Sequence, residues 1–314
     1  MNTVQKKAVW LQSSERSNMP MLRLMSWISL RLGRRIARSV LHLVALYFVL
    51  FSPSSRNASR DYLTRVLGRP AGWRDLYRHF FSFAATIHDR IYLVDRRYDL
   101  FDIDIQGLEH INPLIEAGGG VFLMGAHLGS FEVIRAIGRQ VPGLHVAMVM
   151  HEDNAQKINK MLAAINSEAA LDVIPLGRID SMLRVQDKLD AGMLVGMLGD
   201  RTLGDEPMMP VDLLGAPAAM PVGPFRMAAL MRRPVVFMVG LYLGGNRYRV
   251  HFETLADFTD VPRGQREAAV KQAIERYAGL LNHYCLDAPY NWFNFFDYWQ
   301  SVPTSLSAQP HEHR

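Results

Sequence analysis

The 314-residue chain is predicted to be an α/β protein, a mixed central sheet flanked by helices and preceded by an N-terminal membrane-anchoring helix. Three observations carry that prediction. The apolar run Val121-Phe122-Leu123-Met124 follows the turn Gly118-Gly119-Gly120 and reads as a buried strand. Beyond Leu128 the period changes: Phe131, Val133, Ile134 and Ile137 recur at helical spacing. Downstream, short apolar runs keep alternating with helix-periodic stretches, the pattern of an α/β sheet.

Taken in order, residues 1–20 are polar and mixed and read as an irregular lead. Residues 21–38 place Leu22, Met25, Ile28, Leu32 and Ile36 on one side, with five arginines mostly elsewhere, a basic amphipathic helix. Thirteen uncharged residues, 39–51, follow and stop at Pro53. They fall short of the roughly 20 needed to span a bilayer. They read as a helix lying in, or dipping into, the inner leaflet, with a single pass left as the alternative. Residues 60–67 and 73–94 are expected helices, the second with His79 and His88 among its apolar residues as core histidines. Ile103 and Ile105 alternate with Asp102 and Asp104 in an edge strand, and a helix over 108–116 leads to the glycine turn.

After the central strand the expected order is strand 146–150, helix 154–168, strand 173–174, helix 179–190 and strand 192–198. A long loop through Pro207, Pro210, Pro217 and Pro221 comes next, then a helix over 225–231. Strands 235–243 and 247–253 are joined by the hairpin turn Gly244-Gly245-Asn246. A long helix, 265–286, and an aromatic block, 288–299, close the fold. The tail to Arg314 reads as disordered.

Composition narrows the function classes. Hydrophobic residues at 49% are enough for a full core. The single cysteine, Cys285, excludes a disulfide framework and a multi-thiolate metal site. The net charge of +5 is uneven: the first 78 residues hold 14 basic and three acidic side chains, so they carry +11 and the rest −6. A basic segment beside an apolar one is the footprint expected for an anionic membrane surface. Nucleic acid would also attract it, but no nucleic-acid motif accompanies the charge. The glycine run lacks a following Lys-Ser/Thr, and neither G-x-S-x-G nor H-E-x-x-H occurs, so no nucleotide cradle, serine elbow or metal site is expected. No cofactor is expected either.

His127 and Glu132 are the first candidate site residues. On an ideal helix, positions five apart lie about 140° from one another, so the two meet only if His127 sits in the strand-to-helix loop and folds back over the first turn. A carboxylate so placed would fix the imidazole tautomer and stabilise the imidazolium, as a general base needs. A loop histidine simply bonded to the helix is the plainer alternative. Asp200 and Arg201 follow another strand end, the usual site location in an open α/β sheet, so the two loops have a reason to converge. Asp200 would orient Arg201 or a substrate hydroxyl, and Arg201 would bind a phosphate.

The His-x4-Glu spacing after a buried strand resembles the signature of the membrane lysophospholipid acyltransferases, and more closely that of the late lipid A acyltransferases. These add secondary fatty chains to a glucosamine lipid. The wider family uses His-x4-Asp, and the Glu form is typical of the lipid A branch. The resemblance covers about residues 27–299 and includes Ala126-His127-Leu128-Gly129-Ser130, Asp200-Arg201, Leu213-Leu214-Gly215-Ala216 and the aromatic block. The block, with Gly-Asp-Arg where lipid A enzymes more often show Asp-Gln, is similar to a sub-branch associated with aryl polyene pigments.

The resemblance implies an O-acyltransferase without an acyl-enzyme intermediate. His127 would be the general base and Glu132 its partner, and loop N–H groups near Gly129, together with an arginine, would hold the oxyanion. Gly129, Ser130, Arg178, Asp200 and Arg201 would contact substrate, with Arg178 on phosphate. Implied partners are acyl carrier protein or acyl-CoA as donor, a lipid acceptor and the anionic surface of the bacterial inner membrane. The expected division is 1–54 lead and anchor, 55–301 catalytic domain on the cytoplasmic face, and 302–314 tail.

Overall fold

The computed structural model of the chain describes residues 27, 29, 31, 33–140, 145–151, 173–176, 180–201 and 206–299. The strands are β1 (Asp102–Gln106), β2 (Val121–Gly125), β3 (Val146–His151), β4 (Val173–Leu176), β5 (Leu194–Leu198), β6 (Met208–Leu213), β7 (Ala216–Pro221), β8 (Pro234–Gly244) and β9 (Arg247–Asp257). The helices are α1 (Arg34–Phe51), α2 (Pro53–Leu67), α3 (Trp73–Val94), α4 (Asn112–Glu116), α5 (Phe131–Gln140), α6 (Ser181–Asp190), α7 (Gly223–Met231) and α8 (Arg266–Asp287).

Among the described residues, seven strands form one sheet in the order β1-β9-β8-β2-β5-β3-β4. β8, β2, β5, β3 and β4 run parallel, while β9 and β1 run the other way, so the sheet is mixed as expected. β2 lies at its centre with every residue buried, which explains why its sequence is continuously apolar instead of alternating. Its side chains still divide by parity. Phe122 and Met124 join the core under α7 and α8, whereas Val121 and Leu123 join the core under α3 and α5.

Most expected elements are present, and several differ for physical reasons. The helix expected over 108–116 is broken: a 3-10 turn at Leu108–His110 precedes α4, whose first turn contains Pro113. Proline has no N–H to continue a helix through that position. The long proline loop instead holds the β6–β7 hairpin, closed by Leu214 and Gly215 at φ 53° and 72°. Its prolines are tolerated because a two-stranded ribbon leaves each strand a free edge. The expectations for residues 1–20, the helix over 154–168, Arg178 and the tail lie outside the described residues.

Near the N-terminus, α1 runs unbroken from Arg34 through the apolar stretch to Phe51. Ala37, Leu41, Ala45 and Val49 recur every four residues, and this stripe is buried. Leu41 packs in the same cluster as Ala85 and Leu93 of α3. At the start of α1, Arg34 makes two 2.8 Å bonds to Asp89 of α3, a fully buried carboxylate that also accepts from Tyr248. Among the described residues no single helix is long and apolar enough to cross a membrane. α1 and α2 form a pair bent by 95°.

Candidate active site

β2 and β5 are parallel neighbours in register, Gly125 opposite Leu198, so the loops leaving their C-terminal ends emerge side by side. Gly199 N–H donates to Gly125 O at 2.9 Å and ties the two exits together. That register brings His127 and Asp200 into contact. Asp200 Oδ1 meets His127 Nδ1 at 2.9 Å, and Asp200 Oδ2 accepts the backbone N–H of His127 at 3.1 Å. Trp292 Nε1 donates to the same Oδ2 at 3.0 Å, and the Tyr298 hydroxyl donates to the Asp200 carbonyl at 3.0 Å.

The carboxylate on the imidazole is therefore Asp200, where the spacing had suggested Glu132. The reason lies in what surrounds the first turn of α5. Glu132 is buried and accepts from Arg135 one turn further on and from Arg90 of α3, each at 3.3 Å. Two guanidinium groups thus hold Glu132 between α5 and α3.

The loop after His127 is laced on both sides. Gly129 N–H donates to Asn291 O at 2.9 Å, Ser130 N–H to Gly240 O at 2.8 Å, and Phe293 N–H to His127 O at 2.8 Å. Gly129 has φ +71°, and a Cβ there would stand 2.1 Å from Gly240 O, so the close approach to β8 requires glycine. These bonds also correct the expected oxyanion site: the N–H groups of Gly129 and Ser130 already serve protein carbonyls. Arg201 remains as the nearby cation. Its Nη2 donates to Phe293 O at 2.6 Å, its guanidinium lies 5.0 Å from the Phe296 ring centre, and its buried Nε has no hydrogen-bond partner.

Electrostatics sorts the protonation states. Burial by itself would raise the Asp200 carboxyl, but His127, Arg201 and the Trp292 bond outweigh it and hold the group well below the usual carboxylate range. Burial lowers the His127 imidazole below its ordinary value, Arg201 lowers it further, and Asp200 opposes both. Neutral imidazole beside an ionised carboxylate is the result, with 36% of the His127 side chain still open. His127 Nε2 makes no hydrogen bond among the described residues and is the free end of the ring.

Behind the site, His79 is fully buried and bonds the Trp292 carbonyl through Nε2 and Ser59 through Nδ1, each at 2.8 Å. Its expected role as a core histidine holds. Trp292 and Asn291 are the site residues that sequence reasoning took only as part of an aromatic core block. The available signal was that a buried tryptophan needs an acceptor for its N–H. No group of His, Cys, Asp and Glu able to hold a metal occurs among the described residues.

No curated protein matches the chain. A family model for bacterial lipid A biosynthesis acyltransferases matches residues 18–301, which includes every element that builds the His127–Asp200 site. The chain therefore belongs to the bacterial lipid A biosynthesis acyltransferase family and is an acyltransferase.

Proposed function

We propose that the protein transfers a fatty acyl group from an acyl thioester, on acyl carrier protein or CoA, to a hydroxyl of a lipid A precursor or lipid A-like glycolipid. It would work at the cytoplasmic face of the bacterial inner membrane. The observation that carries the reading is the 2.9 Å contact of Asp200 with His127 Nδ1, which leaves Nε2 to accept a proton.

In the proposed step, the acceptor hydroxyl oxygen attacks the thioester carbonyl carbon while His127 Nε2 takes its proton. Asp200 holds the ring in the Nδ1–H tautomer and stabilises the imidazolium that forms. The tetrahedral oxyanion is met by Arg201, whose guanidinium stands beside Asp200 at 3.9 Å. Collapse expels the thiolate, which recovers the proton from His127, and an ester replaces the thioester. Glu132 acts at one remove, fixing the first turn of α5 through Arg135 and Arg90.

The test is mass spectrometry of lipid A and total lipids from cells with the gene, without it, and with His127→Ala. Loss of one acyl chain from lipid A, unrestored by the variant, is expected. General bases contribute roughly 10²–10⁴-fold. Full transfer by His127→Ala would overturn the mechanism. A missing chain on another lipid, such as an aryl polyene or glycerophospholipid, would change the acceptor. No change in any lipid would leave a non-catalytic membrane-binding protein with this fold.

A further inference from the structure

A groove of about 460 Å³ opens between α1 and the first turns of α3, away from the residues that contact His127. This volume is within the range of small-molecule sites, about 300–1,000 Å³. Its walls are apolar: Leu46 and Leu50 from α1, Trp73 and Tyr77 from α3. The groove opens onto the outer face of α1, where Leu43, Tyr47 and Phe51 are exposed, and Trp73 is 57% exposed beside it. So much contiguous apolar surface on a folded chain marks a contact with something apolar.

Charge decides what kind. Arg74 and Arg78 stand one turn apart on α3, both exposed, and both line the groove. Arg56 lies 5.6 Å from the Trp73 ring centre and holds the end of α1 by bonds to Val49 O and Leu50 O. The carboxylate next to Arg74 in sequence, Asp75, is already bonded by Arg69 and Tyr290. An apolar slot with a positive rim fits a ligand with an apolar body and an anionic head. The exposed face of α1 continues that slot into a plane.

We propose that this groove seats one acyl chain of a phosphate-headed membrane lipid, with Arg74 and Arg78 on the phosphate. The inference rests on the membrane-bound part of the reading above and adds a defined seat to it.

The test uses the full chain with phosphatidylcholine vesicles, with and without phosphatidylglycerol whose acyl chains are brominated to quench tryptophan on contact. Binding at least about tenfold tighter with phosphatidylglycerol is expected, with a share of the quenching that disappears in Trp73→Phe. The exposed double variant Arg74→Gln/Arg78→Gln should lose most of the preference. Unchanged preference in the double variant, or unchanged quenching in Trp73→Phe, would overturn the seat while vesicle binding itself preserved the membrane reading. A raised KM for the acyl donor in the double variant, with vesicle binding unchanged, would assign the groove to the donor chain and also overturn it. No vesicle binding by the wild-type chain would sink both the seat and the membrane reading. Transfer to a detergent-dispersed acceptor, measured in parallel, reads the acyltransferase separately.

Discussion

At the scale of single residues, the proposed chemistry turns on which carboxylate meets His127. Asp200 approaches Nδ1 at 2.9 Å and is itself bonded by Trp292, so its position is set from two sides. Asp200→Asn keeps the shape but removes the charge that stabilises an imidazolium. A fall in kcat on the order of 10²–10⁴ is expected, with the acceptor KM little changed. The pH profile carries an independent sign. The base must be neutral, and burial and Arg201 lower the His127 pKa, so the acid limb of kcat/KM should have its midpoint below the ordinary histidine value near 6.5. Arg201→Gln should move that limb upward. A midpoint above 6.5 in the wild type would contradict the assignment.

At the scale of elements, the geometry sets Glu132 apart from the proposed proton transfer. It lies between Arg135 of its own helix and Arg90 of α3, with little solvent on either the carboxylate or Arg135. Glu132→Gln would leave two guanidinium groups facing a neutral amide. Breaking a buried pair of this kind costs roughly 3–5 kcal/mol. The expected outcome is a lower urea midpoint, with the acid limb of the rate profile unmoved in whatever folded enzyme remains. Wild-type stability with an abolished rate would instead put Glu132 in the chemistry.

At the scale of the whole molecule, His79 joins α2, α3 and the C-terminal block behind Asp200, and it does so uncharged. Burial depresses its pKa to about 4, with the bond to the Trp292 carbonyl opposing. In the unfolded chain it takes a proton near 6.5. The unfolded state thus binds more protons between these values, and stability must fall as the pH drops from about 6.5 towards 4. The window corresponds to about 3 kcal/mol at most. Urea unfolding at pH 7, 6 and 5 checks it. His79→Gln, which can keep one of the two bonds, should flatten this slope even if its stability is lower throughout.

Local features of the sequence determined the elements and the place of the proposed base. The apolar run before His127, the helical period after it and the Gly244-Gly245-Asn246 turn act within a few residues, where periodicity and turn chemistry decide. β2, α5 and the β8–β9 hairpin follow from them, and so does His127 at a strand exit. Proline in the 207–221 segment was a poor guide because its usual penalty belongs to a strand paired on both edges, and among the described residues β6 and β7 pair only with each other. The partner of His127 was not local at all. Asp200 is 73 residues away and arrives because β5 pairs beside β2 in one register, while Glu132, five residues away, is drawn off by Arg90 from α3. Sequence spacing says which groups are near along the chain. Only strand register and buried charge pairing decide which of them touch.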